Sequence, residues 1–271
     1  MEKSKTREEY KKLQKCKIYP STEGEIFYNK SKNRYTDVIA NDRSRVLLDG
    51  LNNNYINANH IIYDSFKYIS TQSPIQETCR DFWKMVYDQK TPIIIMLTDF
   101  IEGKAEKYWL SQNTSQQYFY DKDETEDGNP ICIDVRLDNE ITLTSSIFRT
   151  FHLKYNDTFR IVYHIQYTKW GDHKTPAQPD HINNLIGHMD LFRCMGERNN
   201  QTGPPILHCS AGIGRAGTFI ICSIINKMKV RCLDINIPDI VSNLRKDRNG
   251  MVQTYAQYKF LYEYEKIWAG N

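Results

Sequence analysis

The sequence predicts one α/β domain with strands and helices mixed along the chain. Three observations carry that expectation. Runs of helical period alternate with β-branched runs over all 271 residues. A hydrophobic share of 40% is enough to bury one large core. No internal repeat, low-complexity linker or shift of composition divides the chain.

Each element follows from its local pattern. Residues 3–17 are rich in Lys and Glu, with Tyr10 and Leu13 on one face, which predicts a helix with its basic side in solvent. A loop-like region follows around Pro20–Gly24. Residues 54–63 and 67–71 read as strands about an Asp64-Ser65 turn. Over 76–89, Phe82, Trp83, Val86 and Tyr87 share one side of a helix. Thr91–Thr98 is a largely β-branched apolar run, as in a buried strand. The acidic tract DKDETEDGNP, 121–130, reads as an exposed turn. Strands over 131–137, 140–153 and 158–168 form an antiparallel meander. A helix over 181–198, a short apolar strand over 204–208, and helices over 216–229, 236–247 and 254–268 complete the chain.

The bulk chemistry excludes several classes. Thirty-six Lys and Arg against 33 Asp and Glu leave a net charge of +3, too near balance to argue for nucleic acid. The seven cysteines, at 16, 79, 132, 194, 209, 222 and 232, are scattered and include no Cys-x-x-Cys pair. Neither a disulfide framework nor a zinc site is expected, and reduced thiols point to a cytoplasmic setting. The histidines show no metal-ligand spacing, so no metal or cofactor is expected. The opening MEKSKTREEYKKLQK has no apolar core of a signal peptide, and the run Pro92–Leu97 is too short to span a bilayer.

The stretch HCSAGIGRAGTF, 208–219, carries the chemistry. The strand ends at His208 and the next helix begins near Arg215, so Ser210, Ala211, Gly212, Ile213 and Gly214 form a tight loop. Its glycines let successive N–H groups converge, with the positive end of the helix dipole behind them. That is an anion cradle, and Arg215 adds two parallel donors suited to phosphate. Cys209 stands at its base, where the same donors favour a thiolate able to attack phosphorus. The alternative reading, a structural cysteine beside a helix start, leaves the glycines and Arg215 unexplained.

This stretch resembles the signature of the protein tyrosine phosphatases. KNRYTDV (32–38) resembles the family's phosphotyrosine-recognition loop, KWGDHKTP (169–176) its Trp-Pro-Asp loop and GMVQTYAQY (250–258) its glutamine loop. DRSRV, YINANHI, YISTQSP and DFWKMVYDQ resemble framework motifs in family order. The resemblance runs from about Lys32 to Tyr258. It implies the family fold, a highly twisted mixed β-sheet flanked by α-helices. Residues 1–271 then form a single catalytic domain, with 1–30 as its N-terminal helical extension.

The resemblance also implies roles. Asp172 matches the general acid that protonates the leaving phenolate, with Trp170 supporting its loop. Asp180, in Pro179-Asp180-His181, lacks the tryptophan and is expected to N-cap the following helix. Gln253 and Gln257 match the residues that position the hydrolytic water. Tyr35 and Val38 would flank the substrate ring, and Asp37 would accept hydrogen bonds from the substrate backbone. His208 would support the cradle. Glu102 would orient Arg215, with Lys104 or Lys107 as the active-site lysine. Two departures stand out. Gly171 replaces a proline and loosens the acid's loop. Ala216 replaces a Ser or Thr whose hydroxyl would donate to the cysteine sulfur.

The leading expectation is therefore a phosphotyrosine-specific phosphatase, a metal-free monomer that acts on phosphotyrosine-containing proteins. It would bind neither membrane nor nucleic acid. The alternative is a slow pseudophosphatase or substrate trap, motivated by Gly171 and Ala216. A third reading, an RNA 5′-phosphatase, conflicts with KNRYTDV and the balanced charge. The compact, divergent sequence also resembles phosphatases of insect-infecting polydnaviruses, which implies action on host signalling in the host cytoplasm.

Overall fold

The computed structural model describes residues 2–100, 105–156, 158–171, 173–176 and 178–269. Nine strands form one mixed sheet among these residues. They are β1 (Arg45–Leu47), β2 (Tyr55–Tyr63), β3 (Phe66–Thr71), β4 (Ile93–Met96), β5 (Ser115–Tyr120), β6 (Ile131–Thr142), β7 (Ser146–Tyr155), β8 (Thr158–Tyr167) and β9 (Ile206–His208). The spatial order is β1-β2-β3-β9-β4-β8-β7-β6-β5. The helices are α1 (Glu2–Gln14), α2 (Thr22–Glu25), α3 (Phe27–Lys30), α4 (Cys79–Asp88), α5 (Pro179–Glu197), α6 (Arg215–Val230), α7 (Ile237–Asp247) and α8 (Tyr255–Ala269).

The three residues of β9 decide where the site lies. They pair in parallel with β3 on one side and β4 on the other, with His208 level with Thr71 and Met96. The carboxyl end of β9 therefore opens at the centre of the sheet, where open α/β sheets hold their ligands. Ile206, Leu207 and His208 are all buried, as a strand flanked on both sides and covered on both faces must be. One core, with Leu207, Phe219, Ile220 and Leu261, fills the face under α5, α6, α7 and α8. A second, with Ile206, Trp83, Ile94 and Phe151, fills the face under α4 and the meander.

Several boundaries differ from the sequence reading. The β6–β7 turn falls at 143–145 rather than at Asp138-Asn139. A register shift between Leu137 and Asn139 lets β6 run on through these turn-prone residues. Strand β5, SQQYFY, is a half-exposed edge whose polar alternation carries little apolar signal. Strand β1 has only three residues, and the expected loop around Pro20–Gly24 runs into the short helix α2, with α3 just after it. Asp180 is not the N-cap of α5. Gln178 holds that position, Pro179 follows it, and Asp180 lies in the first turn, where a carboxylate suits the helix dipole.

Candidate active site

The loop after β9 is built by turning its carbonyls outward. The Cys209 carbonyl lies 3.4 Å from His208 Nδ1. The Ser210 carbonyl accepts from Ser73 N–H at 2.9 Å. The Ala211 carbonyl accepts from Arg248 Nη2, and that of Gly212 from Arg248 Nε and Ser70 Oγ. Those of Ile213 and Gly214 accept from Val252 N–H and from Thr218. A trans peptide points its N–H opposite to its C=O. The N–H groups of residues 210–215 therefore turn to the inside of the loop. The Gly212 N–H follows this rule and donates to Cys209 Sγ at 3.3 Å.

Gly212 shows why the loop needs glycine. Its φ is +71°, and a Cβ there would stand 2.2 Å from the Thr71 carbonyl oxygen. Gly214 leaves room for the glutamine loop, since a Cβ would lie 3.1 Å from both Gln253 Oε1 and Gln257 Nε2.

Around the cradle lies a cavity of about 280 Å³. Tyr35, Asp37, Val38, His173, Cys209 and Gln257 line it, together with Gln253 and cradle residues that include Arg215. The recognition loop is clamped from below. Arg34 donates to the Ser73 and Pro74 carbonyls, and Gln72 exchanges hydrogen bonds with the backbone of Lys32 and Arg34. Lys32 pairs with the buried Asp81 at 3.0 Å. Tyr35 Oη lies 2.7 Å from Ser210 Oγ, which ties this loop to the cradle.

The two glutamines differ in what holds them. Gln257 Oε1 accepts from the N–H groups of Gln253 and Thr254, while Thr254 Oγ1 accepts from Gln257 N–H. Thr-x-x-Gln is thus a capping box that starts α8. It fixes the Gln257 side chain and aims its amide nitrogen toward Gly214. Gln253 is exposed at the rim.

Arg215 is buried, and its Nη1 donates to the Trp170 carbonyl at 2.9 Å. Trp170 is buried as well, and its indole donates to the Lys174 carbonyl. The cradle is thereby joined to the loop that carries the expected acid. Asp172 itself lies outside the described residues, as do Glu102 and Lys104. Lys107 is exposed, stands 5.8 Å over the Trp109 ring and does not line the cavity. His173 lines the cavity with φ +56°. At Gly171 a Cβ would stand 3.1 Å from the Lys174 side chain, which would have to shift slightly to admit it. Ala216 is fully buried in the same core as Cys209.

Sequence reasoning missed a residue that backs the cradle from outside. Arg248 is buried and donates to two cradle carbonyls and to Asn57 Oδ1 and Asn59 Oδ1. Burial lowers its guanidinium to about 10, against its usual value above 12. Asn57 also donates to the Val38 carbonyl, so one side chain joins cradle and recognition loop. A signal existed: two Asn alternate in YINANHI, on one face of a strand whose neighbours are apolar. KDRNG offered none. His208 is fully buried, and burial pushes its imidazole down to about 3, which leaves a neutral support.

A thiol inside a ring of inward N–H groups, beside a buried arginine, is an arrangement suited to an anion. Relatives narrow the class. The family profile described as Protein-tyrosine phosphatase matches residues 29–265, and the chain belongs to that family. It is 36% identical over 247 residues to human tyrosine-protein phosphatase non-receptor type 20, which covers 87% of this chain and 54% of that protein. It is 40% identical over 222 residues to tyrosine-protein phosphatase 2 of Dictyostelium discoideum, covering 77% of this chain and 53% of that one. Against human non-receptor type 13 it is 34% identical over 269 residues, 94% of this chain and 10% of the relative. The chain thus spans about half the length of the first two relatives. Among the described residues no helix is long and apolar enough to cross a membrane.

Proposed function

We propose that this chain hydrolyses phosphotyrosine in proteins through a phosphocysteine on Cys209. The observation that carries the reading is the outward set of cradle carbonyls, which leaves inward N–H groups around the Cys209 sulfur. Bound there, a phosphoryl group has its oxygens held by the N–H groups and Arg215, with phosphorus over the sulfur. The thiolate attacks, a P–S bond forms, and the bond to the phenol oxygen breaks. Asp172 gives that oxygen its proton. Water then attacks phosphorus, Asp172 takes a proton from it, and the P–S bond breaks to release phosphate and the thiolate. Gln253 and Gln257 orient the water. Tyr35 lines the cavity, which supports selection of an aryl ester, since an aromatic wall favours a substrate ring. The relatives' names support the same substrate class.

The test is a pre-steady-state time course with para-nitrophenyl phosphate, beside Cys209→Ser and Asp172→Ala. A burst followed by steady release, lost in Cys209→Ser, is expected. A second reading, a substrate trap, is motivated by the buried alanine at 216. It predicts a single stoichiometric burst without further turnover. No burst and no turnover removes the catalytic reading and leaves a phosphotyrosine-binding module.

A further inference from the structure

A buried row of polar side chains leads from the β6–β7 hairpin to the cradle, and the chemistry above uses none of it directly. Exposed Glu140 accepts from Arg149 Nε at 2.5 Å. Arg149 Nη1 lies 3.4 Å from His164 Nδ1. His164 Nε2 lies 2.9 Å from Tyr108 Oη, which lies 2.8 Å from His208 Nε2. His208 Nδ1 ends the row at the Cys209 carbonyl. Arg149, His164, Tyr108 and His208 are all buried.

The row can run in two directions, and its ends choose one. A neutral imidazole has one donor nitrogen and one acceptor. Burial keeps both rings neutral, holding His164 well below its usual range and His208 at about 3. A guanidinium only donates, so His164 Nδ1 accepts and its proton is on Nε2. Tyr108 accepts that proton's hydrogen bond and gives its own to His208 Nε2. The His208 proton is left on Nδ1, facing a carbonyl that only accepts. The reverse order would put two donors face to face at Arg149 and two acceptors at Cys209. Arg149 is itself held in place, donating to Gln166 Oε1 at 3.0 Å with its guanidinium 4.5 Å over the Trp109 ring.

The other cradle carbonyls are held by backbone N–H groups, hydroxyls or a guanidinium. The Cys209 carbonyl is held by a ring whose donor depends on its tautomer. The geometry points to Arg149 as a positioning residue: from three strands away it sets the tautomer of His208, and so the orientation of the first cradle peptide, whose N–H is that of Ser210. The consequence for rate rests on the proposed phosphatase chemistry, whereas the tautomers can be read without turnover.

The experiment is ¹⁵N NMR of the imidazole rings in the unaltered protein, Arg149→Met and Arg149→Lys, with kcat/KM for para-nitrophenyl phosphate alongside. The unaltered protein is expected to show the proton on Nε2 of His164 and on Nδ1 of His208. In Arg149→Met, which keeps the packing stem, only the long contact to the Cys209 carbonyl is left to bias the row, so both rings become mixtures and kcat/KM falls about tenfold, the worth of one hydrogen bond. Arg149→Lys, still a pure donor, restores the tautomers and most of the rate. A reversed pattern in the unaltered protein overturns the proposal, even if Arg149→Met fails to fold. So do spectra of Arg149→Met that match the unaltered protein. Shifted tautomers with an unchanged rate overturn the link to the cradle. If the unaltered protein has no turnover, the phosphatase reading fails while the tautomer result still stands.

Discussion

Arg248 and Ala216 are buried within the cradle's surroundings and have opposite consequences. Arg248 supplies four hydrogen bonds from one charged group, two of them to cradle carbonyls. Arg248→Met is expected to cost roughly 3 kcal/mol of stability, since several buried acceptors lose a charged donor. It should also cut kcat/KM by roughly a hundredfold, because the inward N–H groups lose their backing. Urea unfolding and steady-state rates check both, and an unchanged rate would remove Arg248 from the support of the cradle. In the proposed chemistry, Ala216 offers no hydroxyl to the leaving thiolate. Ala216→Ser is expected to speed phosphoenzyme breakdown by roughly tenfold, one charge-assisted hydrogen bond. Rapid-quench measurement of the intermediate decides this, and a breakdown rate no faster than the parent's sinks the argument. Ala216 was legible as a departure within a motif. Arg248 was not, because its partners Asn57, Asn59, Ala211 and Gly212 come from two distant segments.

At the scale of elements, α1 bears on the glutamine loop. Tyr10 donates to the Gln253 carbonyl at 2.6 Å and packs against Tyr255 and Tyr258. Arg245 joins the Leu13 carbonyl to those of Met251 and Val252. Glu9 accepts from the hydroxyls of Tyr258 and Tyr262. The apolar face with Tyr10 and Leu13 was readable from spacing. What it packs against was not, since the partners lie more than two hundred residues on. Tyr10→Phe removes the short bond to Gln253 and a long one to the Val252 carbonyl, and is expected to cost about 1 kcal/mol. Because the lost bond holds the backbone of Gln253, steady-state turnover should fall while the burst keeps its amplitude. A smaller burst with unchanged turnover would contradict the coupling of α1 to the glutamine loop.

For the whole molecule, buried histidines set an acid limit. His208 is held at about 3 and His164 well below its usual range, both through burial. In the unfolded chain each binds a proton near pH 6.5. Between these values the unfolded state holds more protons, so stability rises with pH and is lost as pH falls below about 6.5. His208 alone is expected to cost about 2 kcal/mol at pH 5 relative to pH 7. Asp88 and Asp247, raised by burial, work in the opposite sense at lower pH. Urea midpoints between pH 7 and pH 5 test this, and a flat profile would mean that the two rings are protonated in the folded state.

By itself, the sequence determined the cradle, the order of most elements and the family. These depend on neighbours in the chain: a short apolar strand, glycines where the backbone must bend, and a helix beginning at Arg215. Only the tertiary structure decided what holds the cradle in shape. Arg248, the asparagines of β2, and the row from Arg149 to His208 act across the sheet. Their hydrogen bonds exist because β9 is threaded between β3 and β4, with β8 and β7 beyond. Local sequence patterns record which residues can be buried, whereas the pairing of strands determines which buried polar groups face one another.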